Sequence, residues 1–150
     1  MSVQLDTNIV VRLFQTSNSL NPIVSGALDA LRAAGREPYI VPQNLYEYWA
    51  VATRPIDQNG LGLSIDEASH ELNELKRAFV LFPDTGDILG EWERLVVLHQ
   101  CKGKQAHDAR IVAAMNVHGV KELLTFNLQD FARYTDITVL DPAAVAAGKA

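Results

Sequence analysis

The chain begins with a short apolar run, Val3 to Leu5, that stops at the polar triplet Asp6-Thr7-Asn8; apolar positions then recur at Ile9, Val10, Leu13 and Phe14. That pattern predicts a buried strand, a polar turn and a helix. Asn21 before Pro22 predicts an N-cap and a first helical position, and Ala27, Leu28, Leu31 and Ala34 carry the helix to Gly35, a natural terminator. Pro38 to Val41 reads as a second brief strand. Asn44-Leu45-Tyr46-Glu47 opens a helix that Arg54-Pro55 ends. Asp57 to Leu63, with Gly60 and Gly62, reads as a surface loop, and Ser64 with Glu67 as the capping box of a helix reaching about Arg77.

Further on, Ala78 to Phe82 predicts a third strand, Pro83 to Gly86 a turn, and Asp87 to His99 a helix spaced by Ile88, Leu89, Trp92, Leu95 and Val96. A polar, basic loop from Gln100 to Gln105 precedes a helix that starts near His107 and ends at Gly119. Glu122 to Thr125 and Ile137 to Leu140 complete the strands, and an alanine-rich tail runs from Ala143 to Ala147. Strands alternating with helices in this way predict a three-layer α/β/α sandwich on a mostly parallel sheet of about five strands. A single domain over residues 1–150 is expected, since the chain has no internal repeat and is 48% hydrophobic, enough for a real core. Open sheets of this class bind ligands at the carboxyl ends of their strands, where strand order reverses. Asp6 directly follows the first strand and Asp130 lies in the loop after the fourth.

Composition narrows the function. No run approaches the roughly 18 apolar residues of a membrane span, and the start has no basic region leading into an apolar one, so a cytoplasmic protein without membrane association is expected. Cys101 is the sole cysteine and lacks cysteine or histidine neighbours at zinc spacing, which leaves it incidental. The net charge of −5 speaks against a nucleic-acid partner at first sight. Setting four of the 18 acids aside as a metal site, however, leaves 14 against 13 bases. Local clustering then decides: Lys102, Lys104 and Arg110 bracket Asp108, and Arg12 and Arg54 lie within two helical turns of Asp6 and Glu47.

Four carboxylates fall where the elements allow convergence: Asp6 at a strand end, Glu47 in the helix after strand two, Asp108 at a helix start and Asp130 after strand four. Together they would repel unless a divalent cation neutralised them, and all-oxygen donors suit Mg²⁺ or Mn²⁺ better than zinc. Each also has a purely structural explanation. Glu47, three residues after Asn44, fits a capping-box glutamate; Asp108 fits a first-turn acid complementing the helix dipole; Asp6 fits an N-cap; Asp130 fits a loop or cap residue.

Read in order, LDTNIVVRL, LYEYWAVATRP, HDARIVAAM and LLTFNLQDFARY resemble the four acidic motifs of PIN domains, particularly the toxin ribonucleases of the VapBC type, and the resemblance extends from Val3 to about Pro142. It implies a metal-dependent endoribonuclease with Asp6, Glu47, Asp108 and Asp130 as catalytic metal ligands, a cognate antitoxin as partner, and a homodimer. It also implies that Thr7, Asn8 and Thr125 orient carboxylates and water. In the fourth motif an acid often stands in the family where this chain has Asn127, so either Asn127 or Asp130 fills that place. The basic residues Arg12, Arg54, Lys102, Lys104 and Arg110 are then expected to guide the RNA backbone.

Three competing readings differ in their residues. A phosphatase built on a strand-end aspartate needs Asp-x-Asp, and Asn8 occupies the second position. A metal-free ribonuclease would use His99, His107 and His118, whose spacing favours surface or helix-end roles. A PIN-like scaffold that binds RNA or protein without catalysis would have no need to hold a divalent ion.

Overall fold

The computed structural model describes residues 1–149. Five strands, β1 (Ser2–Leu5), β2 (Glu37–Ile40), β3 (Val80–Leu81), β4 (Glu122–Leu124) and β5 (Thr138–Leu140), form one sheet in the order β3-β2-β1-β4-β5. Every pairing is parallel, with Val3 opposite Pro38 on one side and Glu122 on the other. The helices are α1 (Thr7–Arg12), α2 (Asn21–Ala33), α3 (Pro42–Thr53), α4 (Ile65–Ala78), α5 (Asp87–Leu98), α6 (Gln105–His118) and α7 (Pro142–Ala146). The strands are short and nearly continuous in apolar character because both faces of the sheet are covered. Val3, Leu5, Ile40, Leu124 and Leu140 enter a core shared with α1, α2, α3, α4 and α7. Tyr39, Val41 and Leu123, alternating with them, enter a second core with α5 and α6. The expected three-layer α/β/α architecture is therefore what forms.

Several local expectations shift for identifiable reasons. Asn21 is not the N-cap of α2, which is Leu20; its side-chain amide instead donates to the carbonyls of Arg12 and Leu13, satisfying the end of α1. Helix α3 starts at Pro42, two residues before the expected opening. Asn44 then sits in its first turn, where Oδ1 accepts from the Val41 amide. The predicted strand Ala78 to Phe82 shrinks to two residues because α4 runs through Ala78. The capping box of Ser64 and Glu67 forms as read, and Gly35 and Gly119 take the left-handed conformation that ends α2 and α6.

The alanine-rich tail is not featureless. Asp141 caps α7 by accepting from the Ala143 amide, Val145 is buried, and α7 lies along α2, with a Cβ on Gly26 meeting Ala146 at 3.3 Å. Among the described residues no helix is long and apolar enough to cross a membrane.

Candidate active site

Strand order reverses around β1: the chain leaves it to build β2 and β3 on one side and returns to place β4 and β5 on the other. The carboxyl ends of β1 and β4 are joined there. The Asp6 amide donates to the Leu124 carbonyl at 3.0 Å, and Thr125 Oγ1 donates to Asp6 Oδ2 at 2.7 Å. Asp6 Oδ1 accepts from the Thr7 amide at 2.8 Å, so Asp6 is indeed the N-cap of α1. Being a cap does not neutralise it. Asp6 is buried and, among the described residues, no cation forms an ion pair with it; burial, together with the nearby Glu47, raises its pKa against the opposing pull of these hydrogen bonds and of Lys104.

Glu47 arrives from α3 and is not a capping glutamate. Its Oε1 accepts from Thr7 Oγ1 at 2.5 Å and its Oε2 from Gln43 Nε2 at 3.1 Å. Thr7 Oγ1 has only one proton and accepts from Asn44 Nδ2 at 3.1 Å, which commits that proton to Glu47. Asn44, fully buried, is itself held by Gln4 Nε2 at 2.9 Å and donates to the Leu5 carbonyl. A chain of donors thus runs from Gln4 in the sheet through Asn44 and Thr7 to Glu47.

Asp108 comes from the first turn of α6, and Gln43 ties that turn to α3 by donating to the His107 carbonyl at 2.8 Å. Half-burial, followed by the charge of Asp6, pushes the Asp108 carboxyl up to about 6; Lys104 opposes this, and Asp130 and Glu47 add to it. Asp6, Glu47 and Asp108 all line one cleft of about 760 Å³, together with Thr7, Asn8 and Asn127. Asn8 donates to Thr125 Oγ1 at 3.2 Å and Asn127 donates its amide to the same oxygen at 2.9 Å, so Thr125 is the hub of the β4 side.

Of the two candidates from the fourth motif, Asn127 lines the cleft and Asp130 does not. Asp130 sits exposed in a 3₁₀ turn, Leu128–Phe131, where it acts on Asp108 through its charge. Among the basic residues, Arg12, Arg54, Lys104 and Arg110 line the cleft; Lys102 is exposed outside it. Arg110 also pairs with Asp84 at 3.0 Å. His107 lines the cleft, whereas the His99 ring packs on Tyr134 and His118 hydrogen-bonds the Pro83 carbonyl. Gln4 and Gln43 were not singled out by sequence reasoning, and Asn44 only as a helix opener, because the partners that give them their roles here, Asn44 for Gln4, the His107 carbonyl for Gln43 and Thr7 for Asn44, lie far away in the chain.

A family model for the PIN domain matches residues 3–137. The chain belongs to the PIN domain family. Several solved structures share the fold at low sequence identity. A toxin-antitoxin complex from Klebsiella pneumoniae is 23% identical over 93% of this chain and 97% of that one, with a TM-score of 0.63. VapBC2 from Rickettsia felis, bound to a promoter DNA fragment, is 17% identical over 93% and 98%, with a TM-score of 0.68. VapC20 from Mycobacterium tuberculosis, a sarcin-ricin loop cleaving toxin, is 16% identical over 88% and 95%, at 0.66. No curated protein matches the chain in sequence.

The donor set fits a hard divalent cation: it is all oxygen, and it includes Asp6, a buried carboxylate without an ion-pair partner among the described residues. Among the described residues no three His, Cys, Asp or Glu side chains stand close enough to form a ready-made cage. The acids of this PIN domain instead line one cleft from separate elements.

Proposed function

We propose that this single-domain protein is a metal-dependent endoribonuclease and the toxin of a toxin-antitoxin pair. The observation that carries the reading is Asp6, a buried carboxylate at the strand switch point that shares its cleft with Glu47 and Asp108 and has no ion-pair partner among the described residues. In this reading Asp6, Glu47 and Asp108 hold Mg²⁺ or Mn²⁺, with Asn127 or Asp130 completing the acid end. The cation supplies positive charge to the scissile phosphate and acidifies water at neutral pH. The chain's own residues do the positioning: Thr7 and Gln43 fix the two oxygens of Glu47, and Thr125 fixes Asp6. Lys104 and Arg110 draw the RNA backbone toward the acids. Attack by water rather than by the RNA 2′-hydroxyl would leave 5′-phosphate and 3′-hydroxyl ends.

An antitoxin is the natural counterpart of such an activity, and a structure sharing the fold is a toxin-antitoxin complex. An arginine from such a partner would make paired hydrogen bonds to a carboxylate at the acid end and compete with the cation there. A homodimer and a cytoplasmic location belong to the same reading. The test is RNA cleavage after chelation, with Mg²⁺ or Mn²⁺ restored, for wild type, Asp6→Asn and Asp108→Asn, beside their thermal melts. Loss of cleavage in folded variants supports the assignment. The missing ready-made cage favours one competitor, a non-catalytic scaffold, and failure of Mn²⁺ to bind the wild type would decide for it.

A further inference from the structure

Gln43 touches the elements that carry Glu47 and Asp108, and it does so through a single amide. Gln43 and Glu47 stand at i and i+4 on α3, His107 and Arg110 at i and i+3 on α6, so each pair shares a helix face. The buried Gln43 amide lies between these faces. Its Nε2 donates to Glu47 Oε2 at 3.1 Å and to the His107 carbonyl at 2.8 Å, and that carbonyl belongs to the peptide unit leading into Asp108. Both amide protons are thereby used. Its Oε1 accepts from Arg110 Nη1 at 3.5 Å, while Arg110 Nη2 donates at 3.0 Å to Oδ1 of Asp84, in the loop between β3 and α5.

These partners permit one orientation of the amide. Turned over, its oxygen would face two acceptors, the Glu47 carboxylate and the His107 carbonyl, and its NH₂ group would face a guanidinium. Each terminal nitrogen of that guanidinium has a protein partner, Gln43 on one side and Asp84 on the other. The charge of Arg110 still adds to the field of the cleft it lines, but its hydrogen bonds run along the wall. Asp84 is exposed and is not part of the cleft lining.

We infer that Gln43 is a brace that sets the separation of Glu47 from Asp108, and that Arg110 and Asp84 are positioning residues that keep the brace in register. The inference rests on the ribonuclease reading above and adds to it how the acids are held before a cation arrives. Metal ligands fixed by hydrogen bonds from behind need little rearrangement on binding, and loss of such support typically weakens binding roughly 10–100-fold. An Arg110 whose task is to grip phosphate predicts the opposite sign at Asp84. Removing that competing anion would free the guanidinium and tighten RNA binding, whereas removing the anchor of a brace impairs the acids and leaves RNA affinity as it was.

The experiment uses the full chain. Mn²⁺ affinity is measured by electron paramagnetic resonance, kcat and KM on a short oligoribonucleotide, and the Gln43 side-chain amide is followed by ¹⁵N NMR in chelator, with a thermal melt for every variant. Asp84→Ala is expected to shift the Gln43 amide signals and speed their exchange, to weaken Mn²⁺ binding roughly threefold and to lower kcat with KM unchanged. Asp84→Asn, which keeps an acceptor oxygen for Arg110, moves each value back toward wild type. Arg110→Lys keeps the charge and the salt slope of RNA binding but cannot span both partners, so it lowers kcat as Asp84→Ala does. Gln43→Met weakens Mn²⁺ binding about tenfold. If Asp84→Ala instead binds RNA more tightly, with Mn²⁺ affinity and kcat unchanged, Arg110 grips phosphate and the brace is wrong while the ribonuclease reading stands. Wild-type Mn²⁺ affinity in a folded Gln43→Met overturns the brace in the same way. A wild type that binds no Mn²⁺ and cleaves no RNA overturns the ribonuclease reading and, with it, the inference built on it.

Discussion

Thr7 and Glu47, 40 residues apart in the chain, meet in a 2.5 Å hydrogen bond whose direction is set by Asn44, because the amide that Asn44 donates to Thr7 leaves the threonine proton no other acceptor. The two roles of this network can be separated by substitution. Asn44→Ala removes the partners of the Val41 amide, Gln4 Nε2 and Thr7 Oγ1 at once, and a loss of roughly 2–5 kcal/mol in unfolding free energy is expected by chemical denaturation. Thr7→Val should cost only about 1 kcal/mol but weaken Mn²⁺ binding about tenfold, as lost support of a ligand usually does. Equal Mn²⁺ affinity in Thr7→Val and wild type would show that Glu47 needs no such support.

The pH dependence of the metal-free protein follows from Asp108, pushed up to about 6, with buried Asp6 shifted in the same direction. A carboxyl whose folded pKa exceeds its unfolded value near 3.9 stabilises the fold fully below that unfolded value. The contribution is lost as pH rises through about 6. The melting temperature in chelator should therefore be higher near pH 5 than near pH 7 as far as these groups are concerned, and Asp108→Asn should reduce that difference. Mg²⁺ should act oppositely, stabilising more as pH rises through the same window, because the cation binds the ionised form. A Mg²⁺ effect independent of pH between 4 and 7 would argue against Asp108 as a ligand.

Lys104 and Lys102 provide a paired comparison. Lys104 lines the cleft and acts on both Asp6 and Asp108, whereas Lys102 is exposed outside it. Lys104→Ala should reduce RNA affinity and the salt slope by about one, with Lys102→Ala close to wild type. Equal effects would place the RNA path over the outside of the loop.

Two glycines predict opposite signs. An alanine Cβ at Gly60 would fall 1.9 Å from the Arg54 carbonyl oxygen, a backbone atom that cannot swing aside, so Gly60→Ala should destabilise by about 1–3 kcal/mol and displace Arg54. Gly90 lies within α5 with nothing within 4 Å of an added Cβ, so Gly90→Ala should stabilise by roughly 0.5–1 kcal/mol. Urea titrations of both variants check the pair.

The elements that could be read from the sequence were those whose signal is local and periodic. The strand stop at Asp6, the Ser64 capping box and the glycine terminators are determined by neighbours within a turn or two, and they formed as read. The polar framework behind Glu47 was not legible. Gln4 and Gln43 look like ordinary polar residues until the fold brings partners from other elements to them, as when Gln43 reaches the His107 carbonyl across 64 positions. Asn44 and Asn21 illustrate the same limit from another side. Each has cap-forming chemistry that the local pattern recognises, but tertiary neighbours decide which amide or carbonyl receives it. The α7 signature, Asp141 before Pro142, matches one already read as a helix start at Asn21-Pro22, and the alanine-rich composition obscured it.

The PIN match ends at Ile137, yet β5 and α7 lie beyond it, and Leu140 and Val145 belong to the core. A chain cut at the family boundary would turn β4 into an edge strand, with its amides and carbonyls open toward the side that β5 now covers. It would also bare the α2 surface on which α7 lies. Solubility trials of shortened versions would then report strand-edge aggregation, and a tag or fusion placed directly after Ile137 would inherit the same defect.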